Sequence, residues 1–316
     1  MSTALDATLK ILSDADQEIP VDRLADLSDL DTEQIGQFSP IWEGLPLERR
    51  RTLIRLLGEE AYAHVELDFE RVYRLSLDDQ DPDVRQLAID NLWECEDPSL
   101  IAPFVRALAS DVASNVRRSA AAALGRYVFL GAVEQIRPEL LRDMEEALLA
   151  VDSSDETLEV RRAALESMGY SSRPEIPDLI TQAYQSGSEP FVVSALVAIA
   201  RSANDEWGPQ VQAQLNSPSP AIRLAAVRAA GELELIETVP DLVELLEDAS
   251  EDVRRAAIWS LGQLGGDVAK QVLGDLLDST EDSEEFQLAQ DAIDNLAFVD
   301  GSRDLFMFNL DTPDAD

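Results

Sequence analysis

The chain has 316 residues, with 25 Lys plus Arg against 63 Asp plus Glu, a formal net charge of −38 and a sequence pI near 4.1. At 45% hydrophobic residues it is no disordered acidic chain, and it has material for a core of ordinary size. A single cysteine, Cys95, and a single histidine, His64, exclude an intrachain disulfide framework, a cysteine-rich zinc or iron–sulfur site, and a two- or three-histidine metal site within one chain.

The charge and the termini bound the surroundings. No run approaches the roughly 18 apolar residues of a membrane helix, and MSTALDATLK lacks a basic region followed by an apolar block. The expectation is a cytoplasmic protein without membrane contact. The acidic field repels phosphates, so no nucleic-acid partner is expected either. Only Lys10 and Lys270 are lysines; the other cations are arginines. The acidity favours basic partners, or else serves solubility or a salt-adapted host.

Residues 1–45 carry short helical patterns such as ALDATLKILS and PVDRLADLSDL, which predict an N-terminal helical cap, because the end of a repeat array must present a polar outer face. A repeat array is expected over 46–300. It opens with an imperfect unit, RRRTLIRLLG at 49–58, whose first entries are arginines. Seven clean units follow, VRQLAIDNLW, VRRSAAAALG, VRRAALESMG, FVVSALVAIA, IRLAAVRAAG, VRRAAIWSLG and LAQDAIDNLA, starting at 84, 116, 160, 191, 222, 253 and 288. They align without a gap. The first column is apolar, the fifth is always alanine, and the ninth is apolar or alanine. Positions 1, 5 and 9 share one stripe of a helix, so each unit holds a buried helix B whose alanine marks a close helix–helix approach. The tenth column is glycine in four units (Gly125, Gly169, Gly231, Gly262), as a left-handed C-terminal cap would require.

An acidic or Pro/Ser turn precedes each B helix, and before several turns lies a second amphipathic stretch, such as SLIAPFVRALA or TVPDLVELLE, with proline in its first turn. The unit is thus helix A, turn, helix B, with a period of about 31 residues. The fold class is all-α: a right-handed α-solenoid of antiparallel helix pairs. One spacing, from Val116 to Val160, is 44, and the extra GRYVFLGAVEQIRP (125–138) is expected to extend the end of a B helix and to map to the loops on one edge. At the other end, 301–316 is expected to be an acidic-hydrophobic tail, its helical period broken by the alternation in RDLFMFNLDTPDAD.

The pattern D/E-x-V-R-x-x-A-x-x-x-L-G resembles HEAT repeats, most closely the short HEAT-like repeats named after phycobilisome lyases, over about residues 66–300. The resemblance implies that the second-column arginines (Arg85, Arg117, Arg161, Arg223, Arg254) form an inter-repeat ladder with acidic residues of neighbouring turns. Val192 and Ala289 depart from it, and the ladder should be interrupted there. It is specific for fold and weak for function, since such repeats serve scaffolds, transport factors, lyase subunits and regulators.

The third and seventh columns are the non-core face of the B helices. They carry Arg118, Arg162, Val193, Leu224 and Arg255, and Val197, Arg228 and Trp259, a mixture of arginine, tryptophan and aliphatic groups suited to binding an amphipathic or acidic peptide. A second candidate surface is a rim of Tyr127, Phe129, Tyr170 and Arg173 at the ends of the B helices. Catalytic vocabulary is sparse. His64 lies at a helix end, acidic neighbours should raise the Cys95 thiol pKa, and there is no GxGxxG or P-loop. The His-Glu pairs that bind iron in HEAT-like deoxyhypusine hydroxylases are absent. The expectation is a non-enzymatic, monomeric scaffold or adaptor with a protein or peptide partner and no cofactor. The resemblance also implies an alternative, an accessory subunit handling a tetrapyrrole or a modified client protein.

Overall fold

The computed structural model of the chain describes residues 3–152, 156–280 and 282–310; they form helices, 3-10 turns and connections, with no strand among them. The chain divides into two compact units, Met1–Ser167 and Met168–Asp316. The first holds α1 (Thr3–Ser13), α2 (Thr32–Gly44), α3 (Leu47–Ala63), α4 (Glu70–Ser76), α5 (Pro82–Asn91), α6 (Ile101–Ser110), α7 (Ser114–Ala132) and α8 (Pro138–Asp152), with α9 (Leu158–Met168) at the boundary. The second holds α10 (Ile176–Gln185), α11 (Glu189–Arg201), α12 (Gly208–Leu215), α13 (Pro220–Glu232), α14 (Val239–Glu244), α15 (Glu251–Leu264), α16 (Gly266–Ser279) and α17 (Ser283–Leu310).

Each A helix packs on the B helix that follows it: α4 on α5 and α6 on α7 in the first unit, then α10 on α11, α12 on α13, α14 on α15 and α16 on α17 in the second. B helices also pack on one another, as α3–α5–α7 and as α11–α13–α15–α17. This is an α-solenoid. All seven fifth-column alanines, from Ala88 to Ala292, are buried, and so is every ninth-column residue from Leu92 to Leu296.

The tenth-column glycines do not cap the helices. Gly125, Gly231 and Gly262 lie inside α7, α13 and α15, and none of the four has a positive φ. They permit close approach instead. A Cβ on Gly125 would stand 2.7 Å from Ser167 Oγ, on Gly231 2.8 Å from Ser260 Oγ, on Gly262 2.7 Å from Ala292 Cβ, and on Gly169 2.7 Å from the Ala198 carbonyl oxygen. Gly58 of the imperfect unit does the same against Asn91, at 2.5 Å. The left-handed residues fall later, at Glu134 (φ 61°), Ala203 (φ 48°) and Glu234 (φ 50°). After α7 the N–H of Gln135 reaches Leu130 O at 2.8 Å and that of Glu134 reaches Gly131 O at 3.1 Å, a Schellman closure built on glutamate.

Close approach lets polar side chains of one B helix reach the backbone of the previous one. Ser167 donates to Ala121 O (2.8 Å), Ser260 to Val227 O (2.8 Å), Asn91 to Ile54 O (3.1 Å) and Asn295 to Gly262 O (2.9 Å). All four donors occupy the eighth column, so small polar groups that look like gaps in the apolar stripe are interhelical ties. A buried hydroxyl or amide without such a partner would be costly.

Two further expectations are corrected. Residues 125–132 extend α7 by two turns, and Tyr127 is buried in the core rather than standing on the edge. Helix α17 continues through 301–310; neither Pro nor Gly interrupts the backbone ladder between Ser302 and Leu310, and alternating apolar residues do not break a helix. The remainder of the tail, 311–316, lies outside the described residues.

Candidate functional site

The second-column arginines are structural. Arg85 grips Asp111 through both Nε and Nη2 at 2.7 Å, while its Nη1 donates to Asp79 O at 2.8 Å. Arg117 grips Glu156 (2.5 and 2.8 Å) and donates to Asp111 O (2.7 Å). Arg223 grips Asp248 (2.7 and 2.8 Å) and donates to Ser217 O (2.8 Å), and Arg254 meets Glu285 (2.8 Å) and Asp248 O (3.0 Å). Arg161 occupies the same column, half-buried. In these four rungs the guanidinium spans a turn: one face holds the carbonyl six residues back, the other a carboxylate of the next turn. The acids fix their own turns too, since Asp111 accepts the Ala113 N–H at 2.9 Å and Asp248 that of Ser250 at 2.7 Å. The Arg223 guanidinium holds the Asp248 carboxyl below the usual carboxylate range. At the departures, Val192 and Ala289 are buried.

The imperfect unit explains its own arginines. Arg49 closes the C-terminus of α1 by donating to Leu12 O (2.9 Å), Ile11 O (3.1 Å) and Gln17 O (2.6 Å). Arg50 stands 3.1 Å from the buried Asp79, which also accepts the Trp42 indole N–H at 3.0 Å. Arg51 grips Asp81 at 2.9 and 2.7 Å.

The face left over is that of the third and seventh columns. Arg118 and Arg162 are half-buried, Arg162 lying 3.6 Å from Glu166. In the second unit Val193, Val197 and Leu224 are half-buried, and Arg228 is exposed with no ion pair among the described residues. A groove of about 540 Å³ runs along α13, α15 and α17, lined by Arg228, Glu232, Asp252, Arg255, Ala256, Trp259 and Leu288. Arg255 pairs with Glu251 and, at 2.6 Å, with Glu284. Trp259 lies across Gly231, where a Cβ would come within 2.8 Å of its ring. The structure thus brings Arg228, Arg255 and Trp259 together; the acidic Glu232 and Asp252 and the apolar Leu288 of the same groove carried no sequence signal beyond their register.

One residue of the expected rim is buried. Tyr127 is 1% exposed, its hydroxyl donating to Cys95 O at 2.7 Å and its ring edge-on to Phe104, so it belongs to the core. Phe129 is at the surface with the Arg126 guanidinium 5.9 Å from its centroid. Tyr170 lies under Arg201 at 5.2 Å, and Arg173 pairs with Glu175 at 3.0 Å.

His64 is the exposed C-cap of α3, and burial pushes the Cys95 thiol pKa up. Among the described residues no group of three or more His, Cys, Asp or Glu is placed to hold a metal ion, and no helix is long and apolar enough to cross a membrane.

The family model for HEAT repeats matches residues 72–152 and 208–294. Among solved structures, the CpcE–CpcF complex of phycocyanin lyase from Nostoc sp. PCC7120 is 20% identical, covering 72% of this chain and 94% of that one with a TM-score of 0.46. Importin beta is 14% identical, covering 92% of this chain and 46% of that one (TM-score 0.46). Human deoxyhypusine hydroxylase in complex with glycerol is 19% identical, covering 93% and 96% (TM-score 0.34). No curated protein matches the chain.

Proposed function

The chain belongs to the HEAT-repeat family, and we propose that it is a non-catalytic adaptor that holds a peptide segment of a partner protein on the B-helix face of α13 and α15. The observation that carries this reading is Arg228: an exposed cation, unpaired among the described residues, beside the half-exposed Trp259 in a groove of about 540 Å³. Arginine beside tryptophan fits a ligand that offers a carboxylate next to an apolar side chain, the first held by charge-assisted hydrogen bonds and the second on the indole. The half-buried Val193, Val197 and Leu224 on α11 and α13 would extend the apolar strip.

A displayed peptide library panned on the full chain tests it. Enrichment of peptides with an acidic residue beside an apolar one, lost on Trp259→Ala/Arg228→Ala, is the expected result. Equal enrichment on both baits would move the site away from this face.

A further inference from the structure

The first unit exposes aromatic side chains along one edge. Helices α3, α5 and α7 pack side by side, and at or just beyond their C-terminal ends stand Tyr62 (87% exposed), Trp93 (63%) and Phe129 (36%). The helix ends are neighbours. Gly58, one turn before Tyr62, abuts Asn91, two residues before Trp93. Glu96, three residues beyond Trp93, pairs with Arg126, whose guanidinium lies over the Phe129 ring. Trp93 occupies the column that in most other units is a close-approach glycine, but α5 has already ended at Asn91, so the indole lies beyond the helix and in water. The packing of the unit does not require a tryptophan there, and exposed aromatic clusters mark interaction surfaces.

The charge of this edge selects the partner. Glu66, Glu94 and Glu134 follow Tyr62, Trp93 and Phe129 within five residues along the chain and make no ion pair with lysine or arginine among the described residues. The negative ends of the α3, α5 and α7 dipoles point the same way. The Arg126–Phe129 contact shows a guanidinium seated on a ring at this edge. We propose that this edge docks a lysine- or arginine-rich segment of a partner protein, its cations over the Trp93 and Tyr62 rings and against Glu66, Glu94 and Glu134. Phosphate-bearing ligands are disfavoured by the same acids. The inference goes beyond the groove around Trp259 and does not rest on it.

The test must separate a local site from the pull of the whole charge, so it uses variants that leave the charge unchanged. Fluorescein-labelled oligo-arginine, and the same peptide with citrulline for arginine, are titrated into the full chain at about 0.15 M and about 1 M salt. The arginine peptide binds and the citrulline peptide does not. Trp93→Ala and Tyr62→Ala each weaken binding about fivefold, the loss of one ring–cation contact, and the difference persists at about 1 M salt, where long-range attraction is screened. Trp259→Ala leaves the affinity unchanged, and circular dichroism of all variants matches the parent. Equal affinity of parent, Trp93→Ala and Tyr62→Ala at both salt concentrations would overturn the proposal, as would failure of the arginine peptide to bind.

Discussion

The hydroxyl of Ser260 on α15 donates to the carbonyl of Val227 on α13 across 2.8 Å. Gly231, one turn further along α13, makes the approach possible, because a Cβ there would stand 2.8 Å from that same hydroxyl oxygen. The seam between the two helices is therefore as much a backbone contact as a side-chain one.

Glycines in these helices consequently respond to alanine with opposite signs. Gly262→Ala in α15 adds a methyl 2.7 Å from Ala292 Cβ and 2.9 Å from its Cα, where the neighbour is backbone and cannot swing aside. It should destabilise by about 1–3 kcal/mol despite the better helix propensity of alanine. Gly274→Ala in α16 meets nothing within 4 Å and should stabilise by up to about 1 kcal/mol. Urea denaturation of both variants checks the pair, and two shifts of the same sign would refute the close-approach reading.

The arginine ladder makes stability depend on acid. Asp248, gripped by Arg223 and accepting the Ser250 N–H, has its carboxyl held down in the folded chain by the Arg223 hydrogen bonds. Unfolded, it titrates near the ordinary value of about 3.9. A lowered folded pKa contributes stability above the unfolded value, and this is lost as pH falls from there through the folded value. Arg223→Met should cost about 1–3 kcal/mol at neutral pH by stranding a half-buried carboxylate. Because that acid then gains less from ionising, the gap between parent and variant should narrow at about pH 3. Denaturation midpoints at the two pH values measure it.

Ala203, with φ at 48°, carries a side chain in backbone space that glycine occupies freely. Ala203→Gly should raise stability by about 0.5–1 kcal/mol, the relief of left-handed strain less the added freedom of the unfolded chain. A lower melting temperature for the variant would show that the strain is absorbed elsewhere.

Much of the solenoid is legible in the sequence because its determinants recur. A column of alanine at Ala88, Ala120 and Ala164 admits one period and one buried face. What recurs with more than one meaning is not legible. Glycine at the tenth column fits a helix cap or a close approach equally well, and only the position of the left-handed residues, at Glu134, Ala203 and Glu234, separates them. Arg49 and Arg50 look like failed entries of an apolar column until their partners, Leu12 O and Asp79, are seen from far along the chain. Tyr127 was indistinguishable from Phe129 in an insertion; two residues of helical rotation bury one and expose the other. Arg228 and Trp259 share a column, which the period brings to neighbouring turns of one face, whereas Glu232 and Asp252 enter the same groove from columns that carry no common residue type and Leu288 enters it from the apolar first column.

The matched seams also fix the order of the units. Where a B helix offers Ser167, Ser260, Asn91 or Asn295, the helix before it offers glycine; where it offers Ala229, the preceding tenth column is Ala200. Excising residues 222–252 would keep every helix in register yet set Ala200 against Ser260. The array therefore resists deletion of that period, because Ser260 is keyed to Gly231.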